Sequence, residues 1–210
     1  MIKKKIKKLI IIVLIVIAIL IVISKTINKN TADTNKLTRL YNELTTAETY
    51  LFEMKRNDEN KVIIAKKDNK IMIDQYSEYS HLTILAEGKK TYLVLHDKEE
   101  YLVYGQDNVE QNILPDGLKE VINTSFTTGS EKIQGKKYSY EEYAGSTIFT
   151  ISNTLDENQK DIKTRFFFDK NNNLVYIKTM TDNNQELLKV KVEKAVDDSI
   201  FEIPSHYAES

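Results

Sequence analysis

Hydrophobic positions fall into three patterns along this chain, and each predicts a different element. From Leu9 to Ile23 every residue is apolar, a continuous run without periodicity. Next, Leu37, Leu40, Tyr41 and Leu44 recur at i, i+3, i+4 and i+7, which places them on one face of a helix. Asp33 or Thr34 stands where an N-cap is needed. After about residue 46 the period shortens. Runs rich in Ile, Val, Tyr, Phe and Thr alternate with polar clusters, the signature of strands joined by hairpins.

The predicted strands are Tyr50–Lys55, Lys61–Lys66, Lys70–Tyr76, His81–Ala86, Thr91–His96 and Glu100–Tyr104. An interruption at 108–123 contains Pro115-Asp116-Gly117, with Leu118, Val121 and Ile122 suggesting a short helix. Strands then resume at Glu131–Gln134, Lys137–Tyr143, Thr147–Ser152, Lys163–Asp169, Leu174–Thr181 and Glu186–Glu193. In the last of these, Leu188, Val190 and Val192 alternate with Lys189, Lys191 and Glu193, so one face is dry and the other wet. Ile71-Met72-Ile73 and Phe166-Phe167-Phe168 are apolar at successive positions, and such strands are covered on both sides, by a helix or by something bound. About a dozen strands in an antiparallel meander must curl. The expected fold is mainly β (α+β): an N-terminal transmembrane helix, then a curved antiparallel sheet, an incomplete β-barrel, with one or two covering helices.

Charge gives the first segment its meaning. Residues 1–24 carry Lys3, Lys4, Lys5, Lys7 and Lys8 and no acid; the remainder carries 25 basic against 31 acidic residues, a net of −6. The 15 apolar residues span about 22 Å as helix, short of the ~30 Å hydrocarbon core. Ile6 extends the run, and Lys7 and Lys8 can snorkel to the interface. Leu9, Ile12, Leu14, Ile17, Leu20 and Ile23 are thus expected to lie in the membrane, with the lysines holding the N-terminus in the cytoplasm. The rival is a cleaved signal peptide, but Ile21-Val22-Ile23-Ser24-Lys25-Thr26 offers no Ala-x-Ala-like site. The chain divides into 1–24, basic tail and signal anchor; 25–35, polar tether; and 36–210, an extracytoplasmic domain. Its acidic balance excludes a nucleic-acid binder, which needs a positive footprint.

Three strings carry a family resemblance: Gly135-Lys136-Lys137-Tyr138-Ser139-Tyr140-Glu141-Glu142-Tyr143, Phe168-Asp169-Lys170-Asn171-Asn172-Asn173-Leu174-Val175-Tyr176-Ile177, and the tail Phe201-Glu202-Ile203-Pro204-Ser205-His206-Tyr207. Together with the hairpin rhythm they make residues 36–210 resemble the LolA-like superfamily of bacterial half-barrels. That group includes lipoprotein carriers, lipid-binding lipoproteins and sensor domains. Within it the chain looks most like clostridial relatives of the spore-germination lipoprotein that partners a cortex-processing amidase. It departs from a lipoprotein in having no cysteine, so the apolar segment would replace the lipid as anchor. Heavy use of Lys, Asn and Ile, without Trp, fits a low-GC bacterial origin.

Chemistry is sparse. Without cysteine there is no disulfide, thiolate ligand or cysteine nucleophile. His81, His96 and His206 are far apart and in no ligand spacing, so each reads as structural or solvent-exposed, with no metal, cofactor or catalytic residue assigned. Glu99-Glu100 and Glu141-Glu142 lie adjacent on strands and leave opposite faces, so neither forms a close acid–base pair. Twelve Tyr and seven Phe gather in the strands, Tyr50, Phe52, Tyr76, Tyr92, Phe149 and Tyr176 among them. They read as sheet packing or as an apolar binding surface. The expected function is that of a non-catalytic binding protein on the cell membrane. Its partner would be a protein of the envelope or spore cortex, with lipid or lipoprotein binding in the concavity as the alternative.

Overall fold

Tight turns set the registers of the sheet in the computed structural model, which describes residues 35–105, 118–119, 121–145 and 162–210. Strands β1 (Thr49–Lys55), β2 (Lys61–Lys67), β3 (Lys70–Ser77), β4 (Ser80–Glu87), β5 (Lys90–Leu95) and β6 (Glu100–Gly105) form one antiparallel meander. A second runs through β7 (Phe126–Ile133), β8 (Lys136–Ala144), β9 (Lys163–Phe168), β10 (Leu174–Met180) and β11 (Gln185–Glu193). Two residues turn the chain at 68–69, 78–79, 88–89 and 134–135. At the last of these Gln134 and Gly135 both take positive φ, 50° and 81°, the backbone a type I′ hairpin demands.

The meanders join where β1 pairs β11, with Phe52 opposite Val192 and Met54 opposite Val190. A two-residue strand β12 (Ala208–Glu209) adds in parallel to the outer side of β6. The result is one open sheet of 12 strands ordered β12-β6-β5-β4-β3-β2-β1-β11-β10-β9-β8-β7, long enough that twist makes it curl. This agrees with the expected mainly β half-barrel.

Each half of the sheet buries a different face. Helix α1 (Lys36–Thr46) presents the predicted stripe, with Leu37 and Leu44 buried and Leu40 and Tyr41 partly so. Together with Leu118 and Val121 it covers Tyr50, Phe52, Met54, Phe166, Phe168, Ile177, Leu188 and Val190. Burial pushes the Tyr50 phenol up to about 12. The opposite face is used by β2 to β6, where Ala65, Met72, Leu85 and Val94 lie under Val196, Ile200, Phe201, Ile203 and Tyr207 of the C-terminal segment. The doubly apolar strands are explained by this arrangement. Phe166 and Phe168 face the helix, while Phe167 packs oppositely with Ile133 and Tyr138.

The helix N-terminus finds its acceptor far away in sequence. Glu141 of β8 accepts from the Lys36 amide at 2.5 Å through Oε1, and from the Leu37 amide at 3.1 Å through Oε2. Its strand neighbour Glu142 points the other way, accepting from Arg165 at 2.6 Å. The two carboxylates leave opposite faces, as alternation requires.

Some expectations change. Strand β7 begins at Phe126 rather than Glu131, because polar Thr127, Thr128 and Ser130 conceal it in the pattern. His96 belongs to a 3₁₀ turn rather than to β5. The predicted strand 147–152, the caps Asp33 and Thr34, the segment 1–24 and all of the tether 25–35 except Asn35 lie outside the described residues. Among those described, no helix is long and apolar enough to cross a membrane.

Gly129 faces Tyr140 across the β7–β8 ladder, and a Cβ built there would sit 2.4 Å from the Tyr140 hydroxyl oxygen. The ring cannot easily retreat, lying 4.5 Å from the Arg165 guanidinium and 5.5 Å from Phe167. Gly129→Ala is expected to destabilise the fold by about 1–3 kcal/mol, measured by urea denaturation.

Candidate functional site

The two-residue turn at 78–79 pairs Tyr76 with His81 and Asp74 with Thr83. The next turn, at 88–89, pairs Thr83 with Val94 and brings His96, two residues on, beside His81. Side chains on one face of neighbouring strands therefore fall into rows. Tyr76 stacks on His81 with ring centroids 3.7 Å apart, and His81 stacks on His96 at 3.6 Å with planes 5° apart. Lys61 of β2 closes one end of the row, its ammonium 4.0 Å from the Tyr76 ring centre. Tyr207 of the C-terminal segment closes the other, edge-on to His96 at 5.5 Å.

A row of polar atoms runs beside the rings. Asp74 and Thr83 are only 7% and 5% exposed. The Thr83 hydroxyl donates to Asp74 Oδ1 at 2.5 Å, and His81 Nε2 meets the same oxygen at 2.9 Å. Having given its hydrogen to Asp74, Thr83 Oγ1 can only accept from His96 Nε2, 2.7 Å away. His96 Nδ1 is then left to accept from the Tyr207 hydroxyl at 3.0 Å. Donor and acceptor counting thus assigns the tautomer of His96. Burial and the adjacent His81 hold the His96 imidazole below the usual histidine range, with Asp74 pulling the other way.

This order does not constitute a hydrolytic relay. In a nucleophile–base–carboxylate triad the carboxylate braces the far nitrogen of the imidazole. Here the carboxylate takes the hydroxyl's own hydrogen, and the far nitrogen of His96 faces a phenol.

Two clefts lie between the sheet and the C-terminal segment. One, about 280 Å³, is floored by the Asp74, His81, Thr83 and His96 row together with Ile63, Met72 and Val94, and roofed by Ile200, Glu202 and Pro204. The other, about 330 Å³, is walled by Leu85, Tyr92, Tyr101, Phe201, Ile203 and Tyr207, with Lys70 and Glu87 also lining it. Leu85 and Pro204 line both.

Of the aromatic residues singled out in the sequence, Tyr76 and Tyr92 line these clefts. Tyr50 and Phe52 belong to the core under the helix. Tyr176 packs edge-on to Tyr138 on another face, and Phe149 lies outside the described residues. His206 is exposed and touches the edge of Tyr207, apart from the other two histidines. Spacing along the chain gives no sign that Asp74, His81 and His96 meet. The sign lies in the registers set by the turns at 78–79 and 88–89; Gly88 marks the second, but Glu78-Tyr79 contains no Gly, Asn or Asp to betray the first.

No family model matches the chain, and no curated protein does. Among solved structures it is similar to an uncharacterized conserved protein from Thermus thermophilus, at 6% identity and a TM-score of 0.44, over 81% of this chain and 94% of that one. It is also similar to the Mycobacterium tuberculosis lipoprotein LppX, at 10% identity and a TM-score of 0.42, over 79% of this chain and 98% of that one. Likeness at this level assigns neither ligand nor partner.

Proposed function

We propose that this chain is a non-catalytic binding protein, held at the outer face of the cell membrane by residues 1–24, that receives an apolar chain such as a lipid acyl group. The observation that carries this reading is the pair of clefts between the sheet and residues 200–207, the smaller with mainly apolar walls and the larger with aromatic and aliphatic walls beside a polar end. Their volumes, about 330 and 280 Å³, lie near the lower end of the ~300–1,000 Å³ range of small-molecule sites. Lys70 and Glu87, paired with each other at 3.3 Å, give the larger cleft a polar end. The five N-terminal lysines and the apolar run that follows support the anchor and its orientation.

Photolabelling of the full chain in membranes with a diazirine fatty acid tests this. Adducts are expected on peptides from β4 to β6 and on residues 198–207, as well as on the membrane segment, which serves as an internal control. Leu85→Trp, which fills the wall shared by both clefts, should remove the first set and leave the second. Labelling confined to residues 1–24 would overturn the proposal. The accessory role implied by the resemblance is a second reading. It is favoured by Tyr79, 86% exposed in the turn between β3 and β4, a side chain that offers a protein partner contact area with a polar handle.

A further inference from the structure

We infer that Asp74, His81 and His96 form a binding site for a divalent first-row transition-metal ion, with zinc as the representative case. One ligand atom from each lies within 4.8 Å of the others. The set of two imidazoles and a carboxylate suits zinc, cobalt or nickel, whereas magnesium and calcium prefer oxygen alone. The residues come from β3, β4 and the turn after β5, all on one face of the sheet. The hairpin ladder sets the positions of Asp74 and His81, and His96 follows directly on β5.

The neighbourhood fits the charge of such an ion. Asp74 is buried and supplies an anion, and Glu202 of the C-terminal segment lines the same cleft. The nearby cation in the ring row, Lys61, lies beyond Tyr76, on the side away from His96.

The geometry also states what must move. Two rings stacked 3.6 Å apart and 5° from parallel cannot both hold one ion in their planes, so one imidazole tilts when the ion enters. Both histidines then carry their hydrogen on Nδ1 and turn Nε2 to the metal, a change of tautomer that releases no proton from a neutral ring. Thr83 loses the His96 hydrogen, and its hydroxyl is free to accept from a metal-bound water. Tyr207 changes from donor to acceptor at His96 Nδ1, 3.0 Å away, the outer hydrogen bond that orients a ligating histidine. Tyr207 also lines the larger cleft and packs in the cluster beneath the C-terminal segment. The ion would thereby fasten that segment over the sheet. The inference does not depend on what occupies the clefts.

The chain has 3 histidines and no cysteine, so the test is nearly exhaustive. The untagged full chain in detergent, stripped by a chelator, is titrated with zinc by calorimetry and with cobalt(II) by visible absorption. One equivalent of each should bind. His81→Phe and His96→Phe, which keep a ring in the stack, should each weaken binding at least ~100-fold, the loss of a direct ligand exceeding the outer-partner effect, and Tyr207→Phe by about 10-fold. His206→Gln should bind as the parent does, and zinc should raise the melting temperature of the parent but not of His81→Phe. If a phenylalanine variant does not fold, zinc added to the parent should shift two of the three imidazole NMR signals. Absence of saturable binding, retention of binding by both phenylalanine variants, or a shift confined to His206 would overturn the assignment.

Discussion

Replacing Glu141 by alanine is expected to lower folding stability by about 2–4 kcal/mol, because it takes the acceptor from the Lys36 and Leu37 amides at once. The side chain is 2% exposed. It accepts from the Lys36 and Leu37 amides at the start of α1, and from the Tyr143 hydroxyl at 3.0 Å. Helix N-terminal amides have no partner within the helix, and an anion placed there also meets the positive end of the helix dipole. Loss of this anchor frees α1 from the sheet, and with it Leu37 and Leu44. Urea denaturation followed by circular dichroism measures the loss; an effect below about 1 kcal/mol would show that the cap is dispensable.

The same residue predicts a pH signature. Burial raises the Glu141 carboxyl above the usual carboxylate range, outweighing the two amides and Tyr143, which lower it. A carboxyl whose pKa is higher in the folded state takes up a proton on folding. Its contribution is therefore largest below the unfolded value and declines as pH rises through the folded one. Glu141→Gln removes that titration. The stability gap between parent and Glu141→Gln should accordingly narrow as pH rises through this range, and a gap that widens would contradict the assignment.

Phe52→Ala should have a comparable effect, about 3–5 kcal/mol, from lost burial and the cavity left behind. Phe52 is fully buried in the core beneath α1. It stands on β1, with Ile64 opposite on one side and Val192 on the other, so the cavity opens at the join between the two meanders. Phe52→Leu should recover most of the loss. Equilibrium denaturation decides the matter, and a cost under about 1.5 kcal/mol would mean that the core collapses around the gap.

What was legible in the sequence is what local pattern encodes. Alternation at Leu188 and Val190, the stripe on α1 and the doubly apolar run at Phe166–Phe168 all reappear as buried faces. What was illegible is long-range. Nothing near Lys36 announces that its amide is capped from 105 residues away. Likewise, Asp74, His81 and His96 become neighbours only through two successive hairpin registers. Strand β7 escaped in part because Gly129 is sheltered by the Tyr140 ring, so that stretch needs no apolar side chain of its own. The closing string Phe201-Glu202-Ile203-Pro204 has no periodicity of its own that signals a role; the fold makes it the roof of both clefts.

The pairing of the first strand with the eleventh has a consequence for biogenesis. A polypeptide is delivered N-terminus first, so residues 49–105 can complete their hairpins while one side of β1 still lacks its neighbour. That side carries unpaired amides and carbonyls, a template for association with another chain, until residues 185–193 arrive. Any helper that attends this polypeptide before it is folded has its work defined by that interval, and a truncation ending before residue 185 should aggregate instead of remaining a smaller soluble sheet.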